Sequence, residues 1–573
     1  MTTDKYQQVM KPLQRYKQYK NKKPEDTIAS IQDILRSKLG ISTFERTFKE
    51  RNGLFHSCRI VLANGGWLRS ANIGTNGKGM TETYSRASAY GELMERLQNG
   101  TLLRINHFGS NHYLEKNKER YSVFYERVKQ NDAVLPYLYT HDEIVDNNNQ
   151  RLKDSIDKFV CTADNQRVYE LAKDTEHYYI PYYNVIEGVV ETIPYDIIFN
   201  SISTNGLCAG NTAKEALIEG LSEVLERYVI RKIYFENLSL PEIPRALFKG
   251  NDILTRIEEL EKQEKYSIII VDCSLGVGIP AVGVIVITDD KSEYQFHMGV
   301  DPSPITALER SLTELFQGRS EIRFKRFDKE LQERLNTDFV LKESEMHKTN
   351  SSSIGNFPLA FFSGTPSYTF TGFNDEMGRS DDKDILLLVD LVKSMGFKLY
   401  VRDNSFLGFP AYSIYIPGMS EIHNTHSLYY FESTYGKYES IFLKSHHLQS
   451  ISRQDERELL ELLEANLDNP ALLSFVNAED VWEKAPEKMV DILRYRVRQE
   501  RSSYSVEGID ADDFFSSFAL PIQYGIYSNC FDCDKCHFNE GCKYIPYLKL
   551  VKRLCAYAQE ADIDQYKLSE VFI

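Results

Sequence analysis

The 573-residue sequence lacks several features that would place it in a common class of proteins. It has no run of about 18 apolar residues, which a membrane-spanning helix requires, and its Lys-rich beginning has no apolar stretch of the signal-peptide kind. A net charge of -15 and a pI near 5.4 argue against a basic nucleic-acid-binding surface. The P-loop motif with its phosphate-binding lysine is also absent. We therefore expect a cytoplasmic protein that binds neither membranes nor nucleic acids directly.

Cysteine is scarce as well, with nine residues in the chain, but four of them stand within 13 positions near its end. Cys530, Cys533, Cys536 and Cys542 are spaced as C-x2-C-x2-C-x5-C, and in a reducing cytosol such a cluster predicts metal binding rather than disulfides. Four thiolates suit either Zn²⁺ or an iron-sulfur cluster, so the sequence leaves the metal open. A structural site in a small terminal lobe is the first interpretation, and electron transfer is the alternative.

The length of the chain exceeds the roughly 250 to 300 residues that one hydrophobic core usually serves, so at least two domains are expected. Strands and helices mix through most of the chain, whereas beyond about residue 430 the pattern is amphipathic and helical. The predicted regions are a basic arm and helix (1–50), an α+β domain (51–430), a helical domain (431–525), and a Cys-rich lobe with a terminal helix (526–573).

Within the α+β region, apolar periodicity predicts several individual elements. The polar, Asn-rich stretch 109–165 is expected to be a surface insertion without chemistry. Helices are predicted at 25–38 and 384–395, and strands at 55–68, 266–272, 278–287, 397–401 and 411–416.

One stretch combines a glycine-bearing turn with a strongly acidic helix. Thr204-Asn205-Gly206 and the segment 209–212 predict a loop, with Asn211 or Thr212 as the N-cap of the helix that follows. The carboxylates along one face of that helix are Glu215, Glu219, Glu223 and Glu226. Carboxylates stacked in this way need a compensating cation, and hard oxygen ligands suit Mg²⁺ whose shell is completed by substrate phosphates. The alternative is a solvated acidic face in which Arg227 forms an intrahelical ion pair.

The same pattern occurs three times. Upstream, the stretch 75–79 (TNGKG) again predicts a glycine-bearing turn, and a helix with the order S-x-x-x-E-x-x-E-R follows it. Downstream, the helix 307–317 repeats the three-residue step between two polar side chains. The polar residues placed in this way are Ser88, Glu92, Glu95 and Arg96 in the first helix, and Glu314 and Gln317 in the third. A solvated face has no reason to recur with its preceding turn, so the three helices are predicted to line one cavity.

In this order, the motifs resemble those of the YcaO family of ATP-dependent enzymes. The motifs are TNGKG, S-x-x-x-E-x-x-E-R, NGLCAGNT-x-x-E-A-x-x-x-G-L-x-E-x-x-E-R and A-L-E-R-x-x-x-E-x-x-Q-G-R, and the segments 238–244 (LSLPEIP) and 414–422 (IYIPGMSEI) fit as well. The resemblance covers residues 15–425 of this sequence. It implies a layered α+β fold in which an acidic cavity lined by helices holds ATP and Mg²⁺, and it favours a homodimer.

The resemblance also implies roles for individual residues of this chain. The implied ligands of Mg²⁺ and phosphate are Glu92, Glu95, Glu215, Glu223 and Glu226, with Glu314 as a further carboxylate. The implied nucleotide contacts are Lys20, Thr27, Ser88, Asn211, Arg227 and Arg310, together with Cys208, which stands where a serine is usual. Glu223, Glu226 and Arg310 would carry the catalysis of phosphoryl transfer.

By the same resemblance, three functions are weighed. The first is an accessory role in the β-methylthiolation of a small-subunit ribosomal protein, beside a methylthiotransferase of the RimO type. The second is ATP-dependent activation of a peptide backbone amide, as in a cyclodehydratase, toward a thioamide, azoline or amidine. A short N-terminal region and an ending in KLSEVFI, without a proline-rich tail, favour the first over azoline formation. The third is a non-catalytic, nucleotide-dependent scaffold whose helical C-terminal region recruits a partner.

Overall fold

The computed structural model describes most of the chain up to residue 422 and the C-terminal segment. The described residues are 11–16, 20–50, 53–63, 73–102, 144–161, 165–173, 177–317, 321–352, 354–422 and 545–573, with 452–454, 457–458, 460–461, 505–506 and 509–510 between them. Helices and strands mix throughout these ranges, which confirms the mixed helix and sheet content of the predicted α+β class. No helix of the described ranges is both long and apolar enough to cross a membrane.

The strands and helices of the described ranges are named here in chain order. The strands are β1 (Thr43–Lys49), β2 (His56–Leu62), β3 (Gly74–Gly79), β4 (Ile144–Asp146), β5 (His177–Asn184), β6 (Val189–Pro194), β7 (Leu207–Ala209), β8 (Tyr266–Asp272), β9 (Ala281–Thr288), β10 (Glu293–Val300), β11 (Lys325–Arg326), β12 (Tyr400–Asp403), β13 (Ala411–Tyr415), β14 (Ser505–Val506) and β15 (Ile509–Asp510). The α-helices are α1 (Pro24–Ile34), α2 (Glu82–Gln98), α3 (Asn149–Phe159), α4 (Asn165–Ala172), α5 (Tyr195–Ile202), α6 (Ala213–Glu236), α7 (Asp252–Glu264), α8 (Pro304–Glu314), α9 (Lys329–Leu335), α10 (Phe339–Ser352), α11 (Asp381–Ser394) and α12 (Ile545–Glu560).

Three antiparallel sheets form the framework of the described part. The first has the order β1-β2-β3, and the second has the order β11-β10-β9-β8. The third has the order β4-β5-β12-β13-β7, with β6 on β5. Each sheet supplies the strand that precedes one of the acidic helices, so α2, α6 and α8 are held by three different sheets.

Helix α6 lies in the largest hydrophobic core. Leu217, Leu221, Val224 and Leu225, the apolar positions that the sequence indicates, are all buried there. They pack with residues of β8, β9, β10, β12, β13 and α11. Because burying a leucine or valine side chain contributes about 1.5–3 kcal/mol, this apolar face fixes the orientation of the helix. Its acidic face is thereby directed away from the core.

The prediction of a glycine-bearing turn at 75–79 is wrong, because these residues form strand β3, which pairs with β2. Thr75 and Gly77 face helix α2: the Thr75 hydroxyl donates to the Ala89 carbonyl at 2.7 Å, and a Cβ on Gly77 would lie only 2.1 Å from the carbonyl oxygen of Ser85. The glycine therefore serves close strand–helix packing rather than a turn. At the second occurrence the turn at 204–206 is confirmed, since Gly206 has φ of +87°, whereas Ala209 of the predicted loop is the last residue of strand β7.

Most of the other element predictions are confirmed with shifted ends. The helix predicted at 25–38 is α1 followed by a π-helical turn, Leu35–Leu39, and the strands predicted at 266–272 and 278–287 are the neighbours β8 and β9. The strand predicted at 55–68 ends at Leu62, and residues 64–72 lie outside the described ranges. The helix predicted at 384–395 and the strands at 397–401 and 411–416 correspond to α11, β12 and β13.

Part of the stretch 109–165 is not the surface insertion that its polar composition predicts. Residues 144–161 contain β4 and helix α3, which begins at the N-cap Asn148. Leu152, Ile156 and Phe159 of this helix are buried against β5 and β6. The Asn-rich segment therefore supplies the N-cap, Asn148, of a helix that packs in the core. Residues 109–143 lie outside the described ranges.

One of the three predicted domain divisions, at residue 50, falls within structure that the described residues share. β1 and β2 pair across residue 50, and α1 packs in one core with α2 and with α12 from the C-terminal segment. The divisions at 430 and 525 lie outside the described ranges. The domain organisation therefore stays a prediction.

Candidate functional site

Three strand–helix units carry the acidic helices, and equivalent residues occupy equivalent places in each. The units are β3 with α2, β7 with α6, and β10 with α8. Each has a small residue in its strand, and four positions later a hydroxyl side chain caps the helix. The small residues are Gly77, Cys208 and Gly299, and the caps are Thr81, Thr212 and Ser303. The repeat that the sequence indicates for the glutamates thus extends into the strands.

Close packing between strand and helix sets the rotation of each helix. Twelve positions after the small strand residue, the helices present Ala89, Gly220 and Ser311. A Cβ on Gly77 would lie 2.3 Å from the Ala89 nitrogen, and a Cβ on Gly220 would lie 2.7 Å from the Cys208 sulfur. Every unit therefore has a glycine at this contact, in the strand or in the helix.

With the helices held in this rotation, their polar faces line one cavity of about 970 Å³. Equivalent positions supply three sets of lining residues, here called rings, at eleven, fifteen and eighteen residues after the small strand residue. The first ring is Ser88, Glu219 and Arg310, the second is Glu92, Glu223 and Glu314, and the third is Glu95, Glu226 and Gln317. The acidic faces of the three helices therefore line a cavity rather than the outer surface.

Each carboxylate of the second ring has a cation beside it. Arg96 lies 3.6 Å from Glu92, and Arg227 lies 3.8 Å from Glu223, both as pairs four residues apart on one helix. Lys78 of β3 forms an ion pair with Glu314. The predicted intrahelical pair of Arg227 is thus present, although its helix face lines the cavity rather than the outer surface.

In the first ring, Glu219 holds two cations at once. It forms an ion pair with Arg310 and accepts a hydrogen bond from the Lys20 ammonium at 2.9 Å. Burial alone would raise the pKa of Glu219, but the charges of Arg310 and Lys20 outweigh it and hold that pKa well below its usual range. Glu219 therefore links the N-terminal segment to helix α8 through its ion pairs with Lys20 and Arg310.

The N-terminal segment also contacts the start of helix α6. The Asn21 backbone N–H donates to Glu215 at 2.9 Å, and the Thr27 hydroxyl donates to the Asn211 side-chain oxygen at 2.8 Å. Asn211 in turn donates from its side-chain amide to Glu215 at 2.9 Å. Four of the residues that the resemblance implies as ligands or contacts, Lys20, Thr27, Asn211 and Glu215, are thus brought to one side of the cavity.

Burial and like charge raise the pKa of two carboxylates in the cavity. Burial is the largest cause for Glu95; the charge of Arg96 lowers its pKa, and the charge of Glu223 raises it further. Burial is also the largest cause for Glu223, whose pKa is lowered by the charges of Arg227 and Arg96 and raised further by the charge of Glu226. Burial and the nearby positive charge of Arg310 lower the pKa of Lys78 to about 8. Both carboxylates are therefore incompletely compensated by the cations around them.

This donor set fits Mg²⁺ that enters together with phosphates. Within the described ranges no three Asp, Glu, His or Cys side chains are arranged as a ready-made metal cage. Mg²⁺ does not require one, because it is usually held by one or two carboxylates while phosphates and water complete its octahedron. Glu95 and Glu223, whose pKa values are raised, are carboxylates that a divalent cation would stabilise in the ionised form.

Two groups of predicted site residues do not lie in this cavity as described. Cys208 is fully buried behind it, where its thiol donates to the Tyr412 carbonyl at 3.7 Å and packs against Gly220. Burial raises the pKa of its thiol well above the ordinary value. The four cysteines Cys530, Cys533, Cys536 and Cys542 lie outside the described ranges, so their metal site stays a prediction.

Several cavity residues have no role in the sequence-based assignment. Glu219 stands in the same four-residue series as Glu215 and Glu223, and that spacing was the signal for it. Lys78 stands inside the TNGKG motif. Because a turn was expected there, the sequence did not indicate where the lysine side chain points. Arg15 forms an ion pair with Glu309 at the edge of the cavity, and no local pattern indicates that contact.

A cavity lined by carboxylates with arginines and lysines beside them defines a protein that can hold a phosphate-bearing ligand through a divalent cation. The chain belongs to the YcaO family, since the family profile described as YcaO cyclodehydratase, ATP- and Mg²⁺-binding, matches residues 76–420.

Two curated relatives share about a third of their aligned residues with this chain. The ribosomal protein S12 methylthiotransferase accessory factor YcaO of Escherichia coli is 30% identical over 404 residues, which are 68% of this chain and 64% of the relative. An uncharacterized protein of Haemophilus influenzae is 31% identical over 370 residues, which are 63% of this chain and 60% of the relative. This chain thus matches somewhat less than two thirds of the length of each relative.

Solved structures with similar folds are more distant in sequence. The YcaO of Methanopyrus kandleri bound with AMPPCP and Mg²⁺ is 18% identical with a TM-score of 0.42, and the alignment covers 71% of this chain and 94% of that one. A heterocyclase in complex with substrate and cofactor is 17% identical with a TM-score of 0.47, and covers 72% of this chain and 55% of that one.

Proposed function

We propose that this chain binds ATP with Mg²⁺ in the cavity and transfers or releases its terminal phosphoryl group in support of the β-methylthiolation of a small-subunit ribosomal protein. One observation carries the nucleotide part of the proposal. Equivalent positions of three strand–helix units meet around a single cavity and present carboxylates beside arginines and lysines. Carboxylates can hold a divalent cation, and the cations beside them can contact phosphate oxygens.

The roles proposed for the cavity residues depend on whether they belong to the three rings or to the N-terminal side. Glu92, Glu95, Glu223 and Glu226 would hold Mg²⁺, which when bound neutralises charge on the phosphates. Ser88, Arg227 and Arg310 would contact the nucleotide from the helices, and Lys20, Thr27 and Asn211 would contact it from the N-terminal side. Glu215 would hold the N-terminal segment and Asn211 in place, because it accepts hydrogen bonds from both Asn21 and Asn211.

The proposed chemistry needs little covalent participation by the protein. An acceptor oxygen, from a backbone amide or from water, forms a bond to the terminal phosphorus while the bond to the ADP oxygen breaks, and ADP leaves with that electron pair. Charge spreads over the phosphate oxygens during this step, and Arg310 and Arg227 are proposed to stabilise it. Glu219 would keep Arg310 directed into the cavity, because the two form an ion pair.

The support for a ribosomal protein as the final target is the relation to the E. coli accessory factor. We propose a methylthiotransferase of the RimO type as the partner, with this chain acting as a homodimer. The test is the intact mass of small-subunit ribosomal proteins from cells with and without the gene. A methylthio mass addition that falls on deletion and returns with the wild-type gene, but not with a Glu223→Gln/Glu226→Gln gene, would support the accessory role. Unchanged masses for every ribosomal protein would contradict it.

The family description as a cyclodehydratase favours one second candidate, the activation of a peptide backbone amide. Phosphorylation of the amide oxygen would make it a leaving group, so that a thiol, hydroxyl, amine or sulfide nucleophile could replace it with release of phosphate. Peptide mass spectrometry of cells with and without the gene separates the two candidates. A peptide that loses the mass of water, or exchanges oxygen for sulfur, only when the gene is present would favour amide activation.

A further inference from the structure

One of the three cations beside the second ring does not come from the helix position that supplies the other two. The ring carboxylates Glu92 and Glu223 are each paired with an arginine four residues further along the same helix. At the equivalent place in the third unit the sequence has Gly318, so helix α8 supplies no such arginine for Glu314. The cation beside Glu314 is Lys78, which comes from the strand of the first unit.

Lys78 has no counterpart in the other two units. The equivalent residue is Ala209 in β7 and Val300 in β10. In β3, Gly77 packs against α2 while Asn76 and Lys78 line the cavity, so the strand directs this lysine into the site from a backbone that close packing holds in place. The lysine side chain is about a quarter exposed and lines the cavity.

Resting on the proposed function, we infer that Lys78 binds the phosphates of the nucleotide and that Glu314 positions it for this contact. A lysine ammonium is a compact charge that binds phosphate oxygens without fixed geometry. Arg227 and Arg310 line the same cavity, and the positive charge of each acts on Lys78, so the cavity holds three cations that could contact a polyanion. Lys78 would then supply, from a strand, the phosphate-binding lysine that proteins with a P-loop take from a glycine-rich loop.

The test is equilibrium binding of the ATP analogue AMPPNP with Mg²⁺ to the full chain and to matched variants. Lys78→Met should weaken binding by roughly tenfold or more, since a hydrogen bond to a charged group is lost. Lys78→Arg, which keeps the charge, should recover most of that loss. Lys232→Met is the matched control, because it removes a lysine that pairs with Glu236 on the outer surface of α6. Melting temperatures without nucleotide check that the variants are folded.

A double variant separates phosphate binding from simple neutralisation of Glu314. If Lys78→Met/Glu314→Gln binds AMPPNP as weakly as Lys78→Met, the direct contact is supported. If it recovers the affinity of the wild type, Lys78 only balances a carboxylate and the inference is overturned. Wild-type binding in Lys78→Met would overturn it too, while the proposed function would stand. Absence of binding in the wild type would instead overturn the proposed function itself.

Discussion

The ammonium of Lys20 lies 2.9 Å from a carboxylate oxygen of Glu219, so a residue of the N-terminal segment contacts the first half of the central acidic helix. The same carboxylate pairs with Arg310 of helix α8. Three parts of the chain that are distant in sequence thus meet at one side chain. Both cations are residues that we propose to contact the nucleotide.

Replacing Glu219 with Gln should loosen the N-terminal segment without unfolding the protein. The amide keeps a hydrogen-bond acceptor but loses the charge that attracts Lys20 and Arg310, so trypsin should cleave faster after Lys20 and Lys22. Limited proteolysis followed by mass spectrometry measures this rate. Glu236→Gln is the control, because it breaks a lysine pair on the outer surface of the same helix. Equal cleavage of both variants would contradict the role of Glu219.

The contact between Cys208 and Gly220 gives a packing prediction. Gly220→Ala should lower the free energy of unfolding by about 1–3 kcal/mol, because its Cβ would lie 2.7 Å from the Cys208 sulfur and 2.8 Å from a methyl carbon of Ile414. Adding Cys208→Gly should recover part of the loss, since the pair then matches Gly77 and Ala89 of the first unit. Urea unfolding of the single and double variants measures both effects, and additive losses would contradict the proposed equivalence.

The glutamate spacing was sufficient to predict the three acidic helices and the face of each that lines the shared cavity, because side chains three or four residues apart share a helix face. Thr212 and the apolar positions of α6 are likewise local signals, which the structure confirms. The strand at 75–79 was missed because the same glycines that allow a turn also allow a strand to approach a helix.

The contacts between units could not be predicted from the sequence. Two of these contacts are ion pairs between residues about 200 or more positions apart, namely Lys78 with Glu314 and Lys20 with Glu219. Such pairs depend on how three separate sheets are placed, and no local periodicity encodes that placement. Cys208 is a different case: a motif position implied a nucleotide contact, and in the structure the side chain is buried behind the cavity, where its thiol donates to the Tyr412 carbonyl.

Glu45 provides a prediction on stability and pH. Burial raises the pKa of this carboxyl, but hydrogen bonds from Arg86 and Tyr90 and the charge of Arg86 outweigh burial, so its pKa is lowered from 4.5. Its stabilising effect is therefore present above about pH 4.5 and is lost as pH falls through the folded-state pKa. Glu45→Gln should cost about 1 kcal/mol at pH 7 and less near pH 3–4.

Urea unfolding at pH 7 and at acidic pH measures this difference. Glu259→Gln, at an exposed position of α7, is the control and should change stability little at either pH. A cost for Glu45→Gln that is independent of pH would contradict the assigned ion pair with Arg86, which lies 2.7 Å away.

The most direct measurement is calorimetric titration of AMPPNP into the full chain and into Glu223→Gln/Glu226→Gln, each with and without Mg²⁺. We predict saturable binding to the wild type that weakens at least tenfold when Mg²⁺ is removed, and no measurable binding to the double variant even though its melting temperature shows that it is folded. Equal affinity of the double variant and the wild type, or wild-type binding that is indifferent to Mg²⁺, would contradict the claim that this acidic cavity holds ATP through a divalent cation.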